Sequence, residues 1–147
     1  MKMKSSKRKV KIQKFEQEIQ KILDEYGEAA SDACSKAVKE LGEEAAKVTA
    51  NNAPVYDSSR GPLNPSYPAG GYKASITSKY EKSIYGASSI VYAKSPHYRL
   101  THLLEHGHQV VYFGHRTGKT SRSIPHWSTG DEYVKKHWHE ILERQFQ

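Results

Sequence analysis

Three histidines and a glutamate near residue 105 have the residue types that metal chemistry needs. His102, Glu105, His106 and His108 fall within seven residues, and His102 and His106 are four apart, so they share one helix face. The ligand set could be completed by His97, His115 or His126. However, the acid precedes the second histidine, whereas the H-E-x-x-H pattern places it after the first. A metal-dependent hydrolase or nuclease is therefore an alternative prediction.

A second stretch, Gly118-Lys119-Thr120, matches the end of a phosphate-binding loop. The full motif needs a glycine five positions before Gly118, where Phe113 stands, and a helix after the threonine. Neither requirement is met. The sequence also contains no recognisable Ser-His-Asp or Cys-His arrangement, so we predict neither an enzyme nor a cofactor.

The basic charge of the chain is concentrated at its beginning. Of 23 Lys and Arg residues, seven lie in the first 14 residues, and the remainder balances 16 basic against 16 acidic side chains. We therefore predict a basic, mobile arm over residues 1–12 and a single domain over 13–147. The arm could lie near DNA, and a small nucleic-acid-binding protein is a further alternative.

Two exclusions follow from what the sequence lacks. No apolar run approaches the roughly 18 to 20 residues that cross a bilayer, and no signal-peptide core precedes Lys14, so we expect a cytosolic product without a membrane partner. The single cysteine, Cys34, cannot form an internal disulfide.

The body that must position these residues begins with a long helical pattern. Apolar residues recur at three- and four-residue steps from Phe15 to Val48, with large side chains first and alanines later. The alanines predict close packing against a sheet or helix, and Gly27 and Gly42 are points where the helix could bend or divide. Asn51, Asn52 and Pro54 are expected to end it.

The remaining pattern predicts an α+β fold, with a long N-terminal helix and a C-terminal helix packed on a small, mostly antiparallel sheet. A Pro- and Gly-rich loop precedes the sheet. The predicted elements are strands Tyr72–Tyr80 and Ile84–Tyr92 with a turn at 81–83, a short helix His97–His106, a strand Gln109–Phe113, a loop Gly114–Ser123, and a helix from Thr129 or Asp131 to Arg144. On the helices, Leu100, Leu103, Leu104, Val134, Trp138, Ile141 and Leu142 are expected to face inward.

One segment resembles a known signature. The run from Tyr98 to His108, which contains Leu-Leu-Glu-His-Gly-His, is followed after a basic loop by Ile124-Pro125-His126. This arrangement resembles a family of tail components of long-tailed double-stranded DNA phages, described as tail completion or head-to-tail neck proteins. The long helix that ends in Ala-Asn-Asn-Ala-Pro-Val is also similar, so the resemblance covers about residues 13 to 147.

The resemblance implies a non-enzymatic structural protein of the virion neck, made in the host cytoplasm and assembled as a ring. Its implied partners are further copies of itself and other phage neck and tail proteins. We expect the acidic first helix to meet the basic middle region of a neighbour, and the loops 57–70 and 114–123 to order on assembly. The residues predicted at interfaces are Glu43, Glu44, Arg60, Tyr67, Glu105, His106, His108, Arg116, Lys119 and Arg122.

Overall fold

The computed structural model describes residues 15–55 and 68–147 of the chain. The elements in this part are α1 (Phe15–Asn52), α2 (Gly71–Ser75), β1 (Ile76–Ser83), β2 (Gly86–Ala93), α3 (Tyr98–His106), β3 (Gln109–Tyr112), β4 (His115–Thr120) and α4 (Trp127–Gln145). This is the predicted α+β class, with the long N-terminal helix and the C-terminal helix. The described strands form two antiparallel pairs, β1 with β2 and β3 with β4.

The long helix α1 is continuous over its 38 residues, so neither Gly27 nor Gly42 divides it. Its carboxyl half buries the predicted small residues, and α4 and the β1–β2 hairpin pack on it. Gly42 is needed there because a Cβ atom at this position would overlap Ser89 Oγ on β2 and lie 2.6 Å from Ser89 Cβ. The prediction that alanines permit close packing is confirmed by the burial of Ala33, Ala37, Ala45 and Ala46.

The amino-terminal half of α1 departs from the expected core stripe. Ile19, Ile22 and Tyr26 are exposed, whereas the buried part of the helix begins at Ala33. Periodicity alone identifies which residues share a helix face, and it does not show how far along the helix a partner extends. The described elements cover only the carboxyl half.

The first hairpin begins and turns later than its composition predicts. Residues 72–75, predicted as strand, form α2 after Gly70, whose φ of 76° places it in the left-handed region. The turn falls at Ile84 and Tyr85, because Ser83 pairs with Gly86. Ser83 Oγ accepts a hydrogen bond of 3.2 Å from the Tyr85 backbone N–H, which favours a turn over two residues that usually prefer strands.

The second hairpin replaces most of a predicted loop. The segment 114–123 was expected to be irregular, but β4 within it pairs with β3. The turn between them is formed by Phe113 and Gly114, with φ values of 49° and 79°. A register shift between Gln109 and Val111 accompanies the pairing. Residues of low strand propensity therefore form a strand because their partner and the turn determine the register.

The short helix and the last helix lie close to their predicted positions. α3 ends before Gly107, as expected, and α4 begins at Trp127, slightly before the predicted caps. Ile141 is buried as predicted. Trp138 is 41% exposed and Leu103 is also exposed, so the prediction that these two side chains face inward is wrong. At Gly130 a Cβ atom would overlap Thr49 Oγ1, because α4 crosses α1 closely at that point.

The core gathers where the ends of several elements meet. Four buried residues form the core: Ala53, Tyr72, Ile76 and Ala93. Partly buried apolar side chains pack against them, among them Ala50, Leu100, Leu104 and Trp127. None of the helices in the described ranges has the length and apolarity of a membrane span.

Candidate functional site

The two halves of the signature meet at Glu105 and His126. Glu105 lies near the end of α3, and one of its carboxylate oxygens accepts a hydrogen bond of 3.1 Å from the backbone N–H of His126. The same oxygen lies 3.3 Å from Nδ1 of the imidazole. Twenty-one residues separate the two positions in sequence. This contact therefore joins the segment before the β3–β4 hairpin to the segment after it.

The imidazole of His126 is completely enclosed, with a side-chain exposure of 0%. Its Nδ1 lies 2.8 Å from the backbone oxygen of Ile124, and its Nε2 lies 2.8 Å from the hydroxyl of Tyr72. A backbone oxygen can only accept, so Nδ1 carries the proton and Nε2 accepts from the Tyr72 hydroxyl. Both ring nitrogens are thus satisfied inside the protein.

Tyr72 connects this histidine to two further elements. Its hydroxyl accepts a hydrogen bond of 3.1 Å from Trp127 Nε1 and lies 3.4 Å from Thr101 Oγ1. The rings of Tyr72 and His126 also meet edge to face, with centroids 5.5 Å apart. We call Tyr72, Thr101, Glu105, His126 and Trp127 the signature cluster. It joins α2, α3 and the start of α4.

The arrangement of the signature cluster suits a structural role. A general base or nucleophile must come within hydrogen-bond distance of a substrate, and His126 is sealed behind the surface with its two nitrogens already engaged. The cluster instead pairs polar groups that would be costly to bury alone. The hydrogen bonds of the signature cluster fix the relative positions of α2, α3 and α4.

The histidines predicted as metal ligands do not converge. His102 and His106 lie on one face of α3 with ring centroids 4.8 Å apart and ring planes inclined by 55°, while Glu105 is directed to His126. His108 interacts with Ser121, whose Oγ lies 2.9 Å from Nδ1. Among residues 15–55 and 68–147, no three His, Cys, Asp or Glu side chains are grouped so that they could hold a metal ion.

The basic interface candidates lie on or beside the β3–β4 hairpin. Arg116 and Lys119 are on β4, Arg122 follows it, and all three are exposed. His108 begins the hairpin, and its backbone N–H donates a hydrogen bond of 2.9 Å to Ser121 Oγ. Arg116 and Lys119 were predicted on a loop and lie on β4 instead, whereas Arg122 lies in the irregular segment that follows the strand.

The acidic candidates Glu43 and Glu44 lie in the carboxyl half of α1. Glu44 is 2.6 Å from the ammonium of Lys47, which raises the pKa of that lysine through the hydrogen bond. Glu43 is 4.0 Å from Lys39 and lines an open groove of about 440 Å³ between α1 and β1. Exposed pairs of this kind contribute little to stability. Both carboxylates thus have lysine neighbours on their own helix.

Some predicted positions lie outside the described residues. These are Arg60 and Tyr67, with most of the loop 57–70, and the basic arm 1–12. In contrast, sequence reasoning missed Tyr72 as a member of the site. It was assigned to a strand, and only its contact with His126 shows its role. A lone tyrosine in a strand-like run carries no signal of such a contact.

Comparison of the chain with family models, curated proteins and solved structures found no match.

Proposed function

We propose that this chain is a non-enzymatic structural protein of the neck of a long-tailed double-stranded DNA phage. In this role it completes the tail and helps to join it to the DNA-filled head, as one subunit of a ring. The particle neck is its place of action, and the host cytoplasm is where it is made. The proposal begins from the resemblance of the signature residues to the tail-component family.

The observation that carries the proposal is the contact between Glu105 and the backbone N–H of His126. The most specific residues of the signature are expected to be catalytic in an enzyme and to hold the fold together in a scaffold. Here Glu105 and His126 are directed inward and bind each other, and both ring nitrogens of His126 are engaged, whereas His106 and His108 are exposed. That use of the signature supports a protein whose task is to present surfaces to neighbours.

The exposed surface also supports an assembling protein. Clusters of large apolar side chains that face solvent mark interaction sites. In this structure such side chains occur in the amino-terminal half of α1 and at the tips of the two hairpins. Rings need two different complementary surfaces on each subunit. The partners that we propose are copies of this chain and other neck and tail proteins, while a DNA contact through the arm 1–12 stays a prediction.

The location of the protein in the particle tests this function. Tailed particles are purified and labelled with gold-conjugated antibody against the chain, and the label is expected at the head-proximal end of the tail. Particles from a strain that lacks the gene provide the background. Absence of the chain from purified particles, or label along the tail tube, would contradict the proposal.

A further inference from the structure

One end of the molecule carries an apolar surface that nothing in the described structure covers. Ile19, Ile22, Leu23 and Tyr26 follow the spacing of a single helix face, and each is between 40% and 63% exposed. A helix of this length gains most of its stability from packing an apolar face. This stripe therefore has the composition of a buried surface in a place that the described fold leaves open.

The tip of the β1–β2 hairpin lies at the same end. Lys82, next to the turn, has its ammonium 2.9 Å from the Asp32 carboxylate on α1. The two turn residues, Ile84 and Tyr85, are 91% and 93% exposed. We call the combined surface the apolar end, and its residues are Ile19, Ile22, Leu23, Tyr26, Ile84 and Tyr85.

The helix that forms the apolar end is acidic. Residues 17–32 contain five acidic side chains and one basic side chain, Lys21; the acidic ones are Glu18, Asp24, Glu25, Glu28 and Asp32. Asp32 is paired with Lys82. A partner for this surface needs apolar or aromatic side chains together with positive charge.

The β3–β4 hairpin has these properties. Its tip residues Tyr112 and Phe113 are 68% and 85% exposed and contact each other edge to face. Arg116 lies on β4 near the tip, opposite Val111, and Lys119 lies farther along β4 toward the base of the hairpin; there is no acidic residue between positions 106 and 130. Exposed aromatic rings beside cationic side chains are the composition of interface anchors.

The apolar end and the β3–β4 hairpin start from opposite ends of the same fold. The hairpin follows α3, whose Leu100 and Leu104 pack beside Ala50 near the carboxyl end of α1. The base of the hairpin is fastened there by a hydrogen bond of 2.7 Å from Ile124 N–H to the Leu104 backbone oxygen. The apolar end lies beyond Ala33, where burial of α1 begins. The apolar end and the base of the hairpin therefore lie toward opposite ends of α1.

We propose that the apolar end of one molecule binds the β3–β4 hairpin of a second copy of this chain. The aromatic tip packs on the apolar stripe, while Arg116 and Lys119 face the carboxylates of Glu25 and Glu28. Because each copy carries one of each surface, the contact is head to tail, and repetition closes a ring if the rotation permits. This inference rests on the proposed function for its place in a particle.

A symmetrical alternative is two apolar ends packed together. Two helices that each carry this excess of carboxylates would repel at close approach, which disfavours that pairing. The hairpin offers the opposite sign of charge. The two arrangements also respond differently to charge reversal, so one set of variants distinguishes them.

A charge-exchange experiment on the full chain tests the proposal. The helix variant carries Glu25→Lys and Glu28→Lys, and the hairpin variant carries Arg116→Glu and Lys119→Glu. Sedimentation velocity at low salt measures self-association of each variant and of an equimolar mixture. The matched control carries Lys94→Glu and Lys136→Glu, two exposed lysines outside both surfaces. Far-UV circular dichroism verifies that every variant is folded.

The proposal expects self-association of the unaltered chain, and at least about tenfold weaker association of each variant alone. Mixing the two variants should restore association, because each acidic hairpin then finds a basic helix and each basic hairpin an acidic one. The control should associate like the unaltered chain. Three results would overturn the proposal. They are weaker association in the helix variant but not in the hairpin variant, no recovery of association on mixing, or an unaltered chain that stays monomeric at millimolar concentration.

The outcome is independent of the neck assignment. If the charge exchange succeeds and the protein is absent from purified particles, the contact is real and the proposed function is wrong. If the protein is found in the neck and the exchange fails, the function stands and the hairpin contact is wrong.

Discussion

His126 illustrates how a residue with reactive chemistry can serve a structural purpose. Its two ring nitrogens are occupied by the Tyr72 hydroxyl and the Ile124 backbone oxygen, each at 2.8 Å, and its backbone N–H is bound by Glu105. Loss of one partner leaves a buried polar group unsatisfied, which costs more than the hydrogen bond itself contributes. Each member of the signature cluster therefore matters for folding.

At this scale we predict that Tyr72→Phe lowers the free energy of unfolding by about 1–3 kcal/mol. The phenyl ring keeps the packing but removes the hydroxyl that binds His126 Nε2 and Trp127 Nε1. Urea denaturation measures the change. Tyr92→Phe, at an exposed position on β2, is the matched control and should alter stability by no more than about 0.5 kcal/mol. Equal stabilities of the two variants would show that the hydroxyl is not needed.

At the scale of elements, the sequence predicts the helices better than their partners. The periodicity of α1 and the glycine that ends α3 were sufficient to place both helices. In contrast, β4 has the composition of a loop, and its pairing depends on β3 and on the turn at Phe113 and Gly114. Strand pairing is a non-local property, so a local pattern cannot reveal it.

The candidate site shows the same division. Glu105 and the histidines, including His126 as a possible further metal ligand, are singled out by their residue types, and His126 also belongs to the segment that carries the resemblance. Glu105 is directed to His126 and not to the other histidines. This depends on the path of the chain after the β3–β4 hairpin, which brings His126 back to α3. The exposure of Trp138 likewise depends on which face of α4 meets α1, and the stripe alone does not determine this.

The two helical glycines of α1 should respond oppositely to alanine. Gly42→Ala is expected to lower the free energy of unfolding by about 1–3 kcal/mol, because the new methyl group overlaps Ser89. At Gly27, nothing lies within 4 Å of an added Cβ, so Gly27→Ala should slow amide exchange in the exposed half of α1 through its higher helix propensity. Hydrogen exchange and urea denaturation measure both. Destabilisation by Gly27→Ala would contradict the assignment of open space there.

The contact between α1 and β1 should depend on pH in a defined direction. The Lys82 ammonium donates a hydrogen bond to Asp32, and this bond and the charge lower the pKa of that carboxyl. The pair therefore stabilises the fold above the pKa of Asp32 in the unfolded chain, and the contribution is lost as the pH falls through the lowered pKa. An NMR titration should give a midpoint below the ordinary aspartate value. The midpoint should rise in Lys82→Gln, and an unchanged midpoint would show that the pair does not form.

At the scale of the whole molecule, the residues that stabilise the interior are separate from the exposed surfaces that we propose as contacts. The signature cluster and the small residues of α1 fix the interior, while the apolar end and the β3–β4 hairpin present complementary surfaces at different ends. Such a division suits the assembly subunit that we propose. It also explains how a chain of 147 residues can bury a modest core and still expose large apolar side chains.

The most direct test of the proposed neck role is electron microscopy of phage particles made after the gene is deleted from the genome that encodes it. We predict filled heads separated from tails, or tails with abnormal length or defective head-proximal ends. An intact copy supplied in trans should restore complete virions, and a frameshifted copy should not. Normal infectious virions without the gene would contradict the neck assignment.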